Sequence, residues 1–264
     1  MSEPWESQPR PARVIENHLI ARGTCWLSLR IEDEWPLPYR AGTITSVLLE
    51  VGGHRLRHPY TVCAVDQENR EIALLFRVVQ GGSMTPLLSQ LGAGNLLAIA
   101  GAYSSPITAL IRPEAAAVLG ISTGTGLGPL AGFAREALLD PDWTRPITLL
   151  SGFRAEVDVP LAPQIEAMEE DPRFQWQLCL SQGSELWEGL RGRVTSVLPQ
   201  VVDRLQGVHV HLVGNGKMVN ELRGGLLKAG FPSEFLTSET YFNRNVPPDP
   251  QVVAGLAEAL KGRI

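Results

Sequence analysis

The segment Ile121-Ser122-Thr123-Gly124-Thr125-Gly126-Leu127-Gly128-Pro129 constrains this chain more than any other. It follows the apolar run AAAVLGIS (115–122) and opens a helical stretch at about 129–139. A strand, a glycine turn and a helix in that order build a parallel, helix-covered sheet. The glycines let the backbone approach a pyrophosphate closely, and the amides of the helix N-terminus favour its negative charge. Pro129 fits the first helical turn, where its missing N–H costs nothing. Ligands of open α/β sheets bind beyond the carboxyl ends of strands, where this loop would lie. A tight structural turn is the plainer alternative.

The spacing is not GxGxxG, because Pro129 stands where the third glycine would be. No ribose-binding acid closes the next strand, where Gly152-Phe153-Arg154 sits. A phosphate loop at Gly214-Asn215-Gly216-Lys217 fails as well, since His211 and Met218 occupy the positions that need glycine and Ser/Thr.

Further runs of the same kind are ITLLSGF (147–153), FQWQLCLS (174–181) and VHVHLVG (208–214), with helical stretches at about 161–170, 194–205 and 217–229. Before Pro113 the pattern differs. Short β-like runs CWLSLRI, TSVLLEV, EIALLFRVV and NLLAIAGA are separated by Pro36–Pro38, Gly52–Gly53, Gln67–Asn69 and Gly92–Gly94, with one helix-like piece at Thr85–Leu91. Strands at that spacing suggest a closed antiparallel barrel, which hides its own edges. The expectation is an α+β chain of two domains, an antiparallel Greek-key β-barrel followed by an α/β parallel-sheet domain. Its boundaries are a loose N-terminus over 1–12, the barrel over 13–110, the sheet domain over 111–242 and a tail over 243–264, in which DPQVVAGLAEAL can form one short helix.

Composition removes other classes. At 264 residues, two packed cores are expected. The longest apolar runs, Ala115–Gly120 and Leu96–Ala102, fall far short of the roughly 18 residues a membrane span needs. The N-terminus has no apolar export signal, so the chain reads as cytoplasmic. Cys25, Cys63 and Cys179 lie far apart, which encodes no disulfide framework, metal site or cysteine-ligated iron–sulfur centre. A net charge of −5 argues against nucleic acid as a partner. His54, Arg55, Arg57 and His58 form a local basic patch, either a solvated loop or a face for an acidic partner.

Six ordered motifs between about Val14 and Phe242 resemble those of the ferredoxin–NADP reductase superfamily. His58-Pro59-Tyr60-Thr61 is similar to its flavin motif Arg-x-Tyr-Ser/Thr, and Gly82-Ser83-Met84-Thr85 to the turn that holds the flavin pyrophosphate. Thr123–Pro129 is similar to its nicotinamide-dinucleotide loop, and Leu180-Ser181-Gln182 with Gly192-Arg193-Val194 to its adenosine-side segments. Val213-Gly214-Asn215-Gly216-Lys217-Met218 resembles Cys-Gly-x-x-x-Met, and Glu239-Thr240-Tyr241-Phe242 resembles the Glu-x-Tyr end.

The resemblance implies FAD on the barrel and NADP or NAD on the sheet domain. Tyr60 then stacks on the isoalloxazine, an offset aromatic contact worth about 0.5–1.5 kcal/mol beyond area. Thr61 hydrogen-bonds the flavin ring and biases its electronics. Tyr241 or Phe242 covers the opposite face and moves aside before nicotinamide enters. Thr61, Glu239 and Tyr241 are the implied catalytic residues. Cofactor binding falls to His58, Pro59, Tyr60, Arg77, Val78, Gly82, Ser83, Met84 and Thr85 on the flavin side. On the dinucleotide side it falls to Thr123, Gly124, Thr125, Gly126, Gly128, Pro129, Arg154, Ser181, Gln182, Arg193, Gly214, Asn215, Met218 and Phe242.

Three positions depart from the pattern. His58 replaces an arginine, as in the ferric reductase and NADPH oxidase branch, so Arg57 or Arg77 is left to meet the flavin phosphate and a flavin other than FAD gains weight. Val213 replaces a cysteine beside the nicotinamide and offers no polarizable sulfur, which leaves Glu239 and geometry to support hydride transfer. Gln182 replaces the arginine that forks onto a 2′-phosphate, while Arg154 and Arg193 remain. That keeps NADPH and NADH both open, with a tilt to NADPH. The implied activity is hydride transfer from NAD(P)H to flavin and onward electron transfer to an external carrier, ferredoxin or flavodoxin. Alternatives are an oxygenase reductase component, a free-flavin or ferric reductase, and a non-catalytic binding subunit.

Overall fold

A computed structural model describes residues 8–264 apart from residue 35. The chain divides into two compact units. One runs to Ala109 and takes in Ala131–Phe133, and the other comprises Leu110–Leu130 and Ala134–Ile264. No helix among the described residues is long and apolar enough to cross a membrane.

The first unit holds strands β1 (Arg10–Ala21), β2 (Thr24–Ile31), β3 (Ile44–Val51), β4 (His54–Asp66), β5 (Glu71–Arg77) and β6 (Leu96–Ala100). They close an antiparallel barrel in the order β1-β2-β5-β4-β3-β6, the Greek-key arrangement expected. Alternate residues fill it, as the strand period of two requires: Ala12 and Val14 of β1, Leu27 and Leu29 of β2, Ile72 and Leu74 of β5. Two short helices, α1 (Thr85–Leu88) and α2 (Ile107–Leu110), complete the segment. The expected piece Thr85–Leu91 ends early because the Asn17 side-chain amide donates to the carbonyls of Leu88 and Leu91, each at 2.8 Å.

The second unit holds β7 (Ala117–Thr123), β8 (Ile147–Phe153), β9 (Phe174–Leu180), β10 (Leu190–Arg191), β11 (Val208–Asn215) and β12 (Leu236–Phe242). All pair in parallel, in the order β10-β9-β8-β7-β11-β12. Its helices are α3 (Leu127–Leu139), α4 (Ala162–Met168), α5 (Val194–Val201), α6 (Gly216–Lys228) and α7 (Pro250–Leu260). From β7 the chain steps outward through β8, β9 and β10, then returns to place β11 on the other side of β7. The strand order therefore reverses between β7 and β11, the point where open α/β sheets hold ligands beyond their carboxyl ends.

Several expectations are corrected. Of the stretch thought loose over 1–12, residues 1–7 lie outside the described residues, and Arg10–Ala12 belong to β1. Arg10 is buried, and its guanidinium grips the Asp33 carboxylate. The patch His54–His58 is not a loop but the largely exposed first half of β4, registered against β3 from Val51 to Val47. Arg55 pairs with Glu50 there. The short helix expected in the tail beyond Phe242 is α7, whose Leu256 and Leu260 sit in one apolar cluster with Val197 and Leu198 of α5 and Leu222 and Leu226 of α6. Its apolar stripe is thus buried against its own unit. Likewise α5 stops at Val201, and the Arg263 guanidinium donates to the carbonyls of Pro199 and Val202 at its end.

Candidate functional site

In the second unit the glycine loop sits at the switch point. Gly124–Gly126 form one 3-10 turn that runs into α3 with Pro129 in its first turn. Gly124 has φ +58°, open to glycine at little cost. A Cβ on Gly126 would lie 2.6 Å from the Val213 carbonyl oxygen, and one on Gly214 would lie 2.6 Å from Thr123 Oγ1. The Asn215 N–H donates to that same Oγ1 at 3.3 Å, and Asn215 Oδ1 caps α6 by accepting from Lys217 N–H at 2.9 Å. Thr123, Gly124 and Thr125 are half-exposed, whereas Gly126, Gly128 and Pro129 are buried. The loop thus presents its first three residues, while Thr123 and Gly126 fix its approach to β11.

The adenosine-side segments are hydrogen-bonded neighbours. Ser181 N–H donates to the Phe153 carbonyl at 3.0 Å, Gln182 N–H to the Arg154 carbonyl at 2.7 Å, and Gly192 N–H to the Leu180 carbonyl at 2.9 Å. Arg154, Ser181, Gln182 and Arg193 are all exposed there. Neither Arg154 nor Arg193 has an ion-pair partner among the described residues. Arg191, by contrast, donates to the carbonyls of Gly183 and Ser184 and folds that loop. Glu156 accepts from Ser184 N–H at 2.9 Å and from its hydroxyl at 2.5 Å. The Ser184 hydroxyl bond is the main cause that holds the Glu156 carboxyl below its usual range.

On β12, Glu239 stands opposite Val213, and Phe242 stands opposite Asn215. Glu239 and Tyr241 are half-buried, and Phe242 is 54% exposed. The Glu-x-Tyr end therefore lies beside the dinucleotide loop within one unit.

In the first unit, β4 registers Tyr60 against Thr45 and Thr61 against Ile44. Tyr60 meets Phe76 edge-on at 6.2 Å, and burial pushes its phenol up to about 12. Thr61 is buried, Pro59 exposed and His58 half-buried. His58 Nε2 and Ser83 Oγ approach at 3.4 Å, which joins the two expected flavin motifs. The Gly82 N–H donates to the Val79 carbonyl at 2.9 Å, and Val79 N–H donates to Thr85 Oγ1 at 2.9 Å. Val78 N–H donates to the Gly23 carbonyl at 2.8 Å, so Val78 continues the barrel wall. Of the two candidate replacements for the missing arginine, Arg57 is engaged by Ser46 at 3.1 Å and by Tyr103, over whose ring it sits. Arg77 is exposed with no such tie among the described residues.

Two expected contacts are not brought together with the rest. Met84 is a barrel-core residue and Met218 a core residue of the second unit. Each lies on the inward side of its turn or helix. Other features escaped sequence reading. Ser46 of β3 and Tyr103, in the loop after β6, both join Arg57. His209 and His211 are buried, and both contact Thr237 Oγ1 at 2.8 Å. Arg112 N–H donates to His209 Nδ1 at 3.2 Å, so His209 carries its proton on Nε2 and gives it to the Thr237 oxygen, whose hydroxyl then donates to His211 Nδ1. Burial pushes His209 down to about 4 and His211 down to about 3.

The residues fit the two implied groups. A barrel strand carrying Tyr60 and Thr61 beside a glycine turn suits a flavin, and a glycine loop so close to β11 that a Cβ at Gly126 or Gly214 would not fit suits a dinucleotide. Residues 11–106 match the family described as oxidoreductase FAD-binding domain, and residues 121–223 match oxidoreductase NAD-binding domain. Ferredoxin–NADP reductase B of Sorangium cellulosum is 26% identical over 246 residues, 89% of this chain and 99% of that protein. The reductase subunit of an Amycolatopsis aromatic O-demethylase is 32% identical over 174 residues, 64% of this chain and 51% of that relative. A crystal structure of a ferredoxin NADP+ reductase from Neisseria gonorrhoeae with bound FAD and NADP superposes with a TM-score of 0.76, covering 90% of this chain and 100% of that one at 14% identity. The barrel with its flavin motifs, the switch-point loop and both family matches make this chain an FAD- and NAD(P)-binding oxidoreductase of the ferredoxin–NADP reductase superfamily.

Proposed function

We propose that the chain takes hydride from NADPH and passes single electrons to a separate carrier protein, ferredoxin or flavodoxin. The observation that carries this reading is the arrangement at the carboxyl ends of β7 and β11, where the glycine loop, Val213 and Glu239 are neighbours. When bound, the flavin accepts two electrons as hydride and releases them singly. The chain's own residues divide the remaining work. Thr123, Gly124 and Thr125 receive the pyrophosphate, aided by the N-terminal amides of α3. Glu239 places a carboxylate where the nicotinamide ring gains positive charge as hydride leaves. Tyr241 and Phe242 shield that position from water until nicotinamide displaces them. Tyr60 and Thr61 orient the isoalloxazine, and Arg77 meets the flavin phosphate.

NADPH rather than NADH is supported by Arg154 and Arg193, two exposed cations without an ion-pair partner among the described residues beside Ser181. A carrier outside this chain is supported by similarity to the Sorangium reductase over nearly its whole length. The 32% identity to an O-demethylase reductase subunit supports a second reading, delivery of electrons to an oxygenase component. Cytochrome c reduction by the flavin-loaded protein tests both. The first reading predicts a sharp rise when ferredoxin or flavodoxin is added, and the second predicts none. Membership of an oxidoreductase family sets aside the non-catalytic subunit.

A further inference from the structure

The geometry points to Asn220 as a positioning residue that tethers the aromatic end of β12 and so governs how readily nicotinamide enters. The inference rests on reading Tyr241 and Phe242 as the group that nicotinamide displaces. Helix α6 carries Gly216, Asn220 and Gly224 one turn apart, with Glu221 and Gly225 beside them, and this stripe receives the segment that follows Phe242. A Cβ on Gly216 would collide with the Asn243 carbonyl. The Asn220 side-chain amide donates to the Arg244 carbonyl at 3.2 Å and the Val246 carbonyl at 2.9 Å. Buried Glu221 accepts from Asp249 N–H at 3.4 Å, and Asp249 caps α7 by accepting from Gln251 N–H at 2.9 Å. A Cβ on Gly225 would meet Leu256 at 2.5 Å and one on Gly224 would meet Val253 at 3.2 Å, so these two glycines admit α7 closely.

The chain turns directly after Phe242. Asn243 takes φ +57°, a left-handed conformation that asparagine tolerates better than most residues, and Val246 N–H donates to its carbonyl at 3.0 Å. Phe242 itself stands opposite Asn215, which is bonded to Thr123 of the dinucleotide loop. The aromatic end is thus held from two sides, by its register with β11 and by the stripe on α6. A ring that must swing aside does so against this tether, and the cost of that displacement enters the apparent affinity for nicotinamide. Asn220 is the part of the tether that can be altered without opening the core, because it is half-buried and binds backbone carbonyls.

The test uses the full-length, flavin-loaded protein with Asn220→Ala and Asn220→Asp, the second keeping side-chain size while removing both donors. NADP+ affinity is measured by calorimetry, thermal unfolding is followed in parallel, and Phe242→Ala is included. Either Asn220 variant is expected to bind NADP+ about fivefold more tightly, the change that one net hydrogen bond implies, while unfolding at a lower temperature. Reduced stability with unchanged or weaker binding would make Asn220 merely structural and overturn the proposal. If Phe242→Ala tightens binding and both Asn220 variants do not, the tether fails while the gate stands. If none of the three tightens binding, tether and gate both fail.

Discussion

A Cβ on Gly126 would lie 2.6 Å from the carbonyl oxygen of Val213. The first residue closes the turn after β7, and the second lies on β11, the strand across the switch point. The floor of the dinucleotide site is therefore a backbone-to-backbone contact that a side chain cannot share.

Gly126→Ala is expected to push β11 from the loop, at a stability cost of about 1–3 kcal/mol, and to weaken NADPH binding more than tenfold. Flavin content should be retained, because the barrel is a separate unit. Calorimetric NADPH binding beside flavin quantitation checks both parts, and wild-type affinity would remove the loop from the site.

Glu239→Ala should slow flavin reduction by about tenfold to a hundredfold in stopped flow, since a carboxylate aimed at developing charge acts in the transition state. Glu239→Gln separates charge from hydrogen bonding. An unchanged rate in both variants would leave Glu239 as a surface charge.

Arg154→Ala and Arg193→Ala should each lower kcat/KM for NADPH by about tenfold or more, as losing a charge-assisted bond to a 2′-phosphate does, and leave NADH unaffected. Equal losses with both dinucleotides would contradict the assignment.

His209 and His211 make stability depend on pH. Burial is the main cause that lowers their folded values to about 4 and about 3, against an ordinary 6.5, and nearby Arg112 and Arg145 add to it at His209. The unfolded chain then binds protons that the folded one refuses. Their contribution is fully present above pH 6.5 and declines as pH falls toward 4 and 3. The loss approaches about 1.4 kcal/mol per pH unit for each histidine. Urea unfolding between about pH 6.5 and 5, where carboxylates contribute little, should report this decline. A flat profile would contradict the neutral Thr237-bridged pair.

What was legible in the sequence follows from where the information is local. Strands β7, β8, β9 and β11 coincide with runs rich in apolar residues, and the loop at Thr123–Pro129 is bounded by such a run and a helix, so these read directly, whereas β10 (Leu190–Arg191) and β12 (Leu236–Phe242) carry no such run. Strand β4 mixes Arg55, Arg57, His58 and Pro59 with few buried positions and is a strand only because β3 pairs with it. Strand β1 begins among prolines for the same reason, held by β2 and β6. Motif matching also names Met84 and Met218, whose side chains sit in the two cores, Met84 at the turn before α1 and Met218 on α6, a burial that the motifs do not show. The helix of α7 was readable from its apolar spacing. Its destination was not, because Gly224 and Gly225 look like helix weaknesses until Val253 and Leu256 fill the space above them.

The most direct test is anaerobic mixing of the purified yellow protein with NADPH, followed by addition of oxidised ferredoxin or flavodoxin. Flavin absorbance is expected to bleach with NADPH, far less readily with NADH, and to return as the carrier becomes reduced. A protein that holds no flavin, or whose flavin stays oxidised under NADPH, would contradict it.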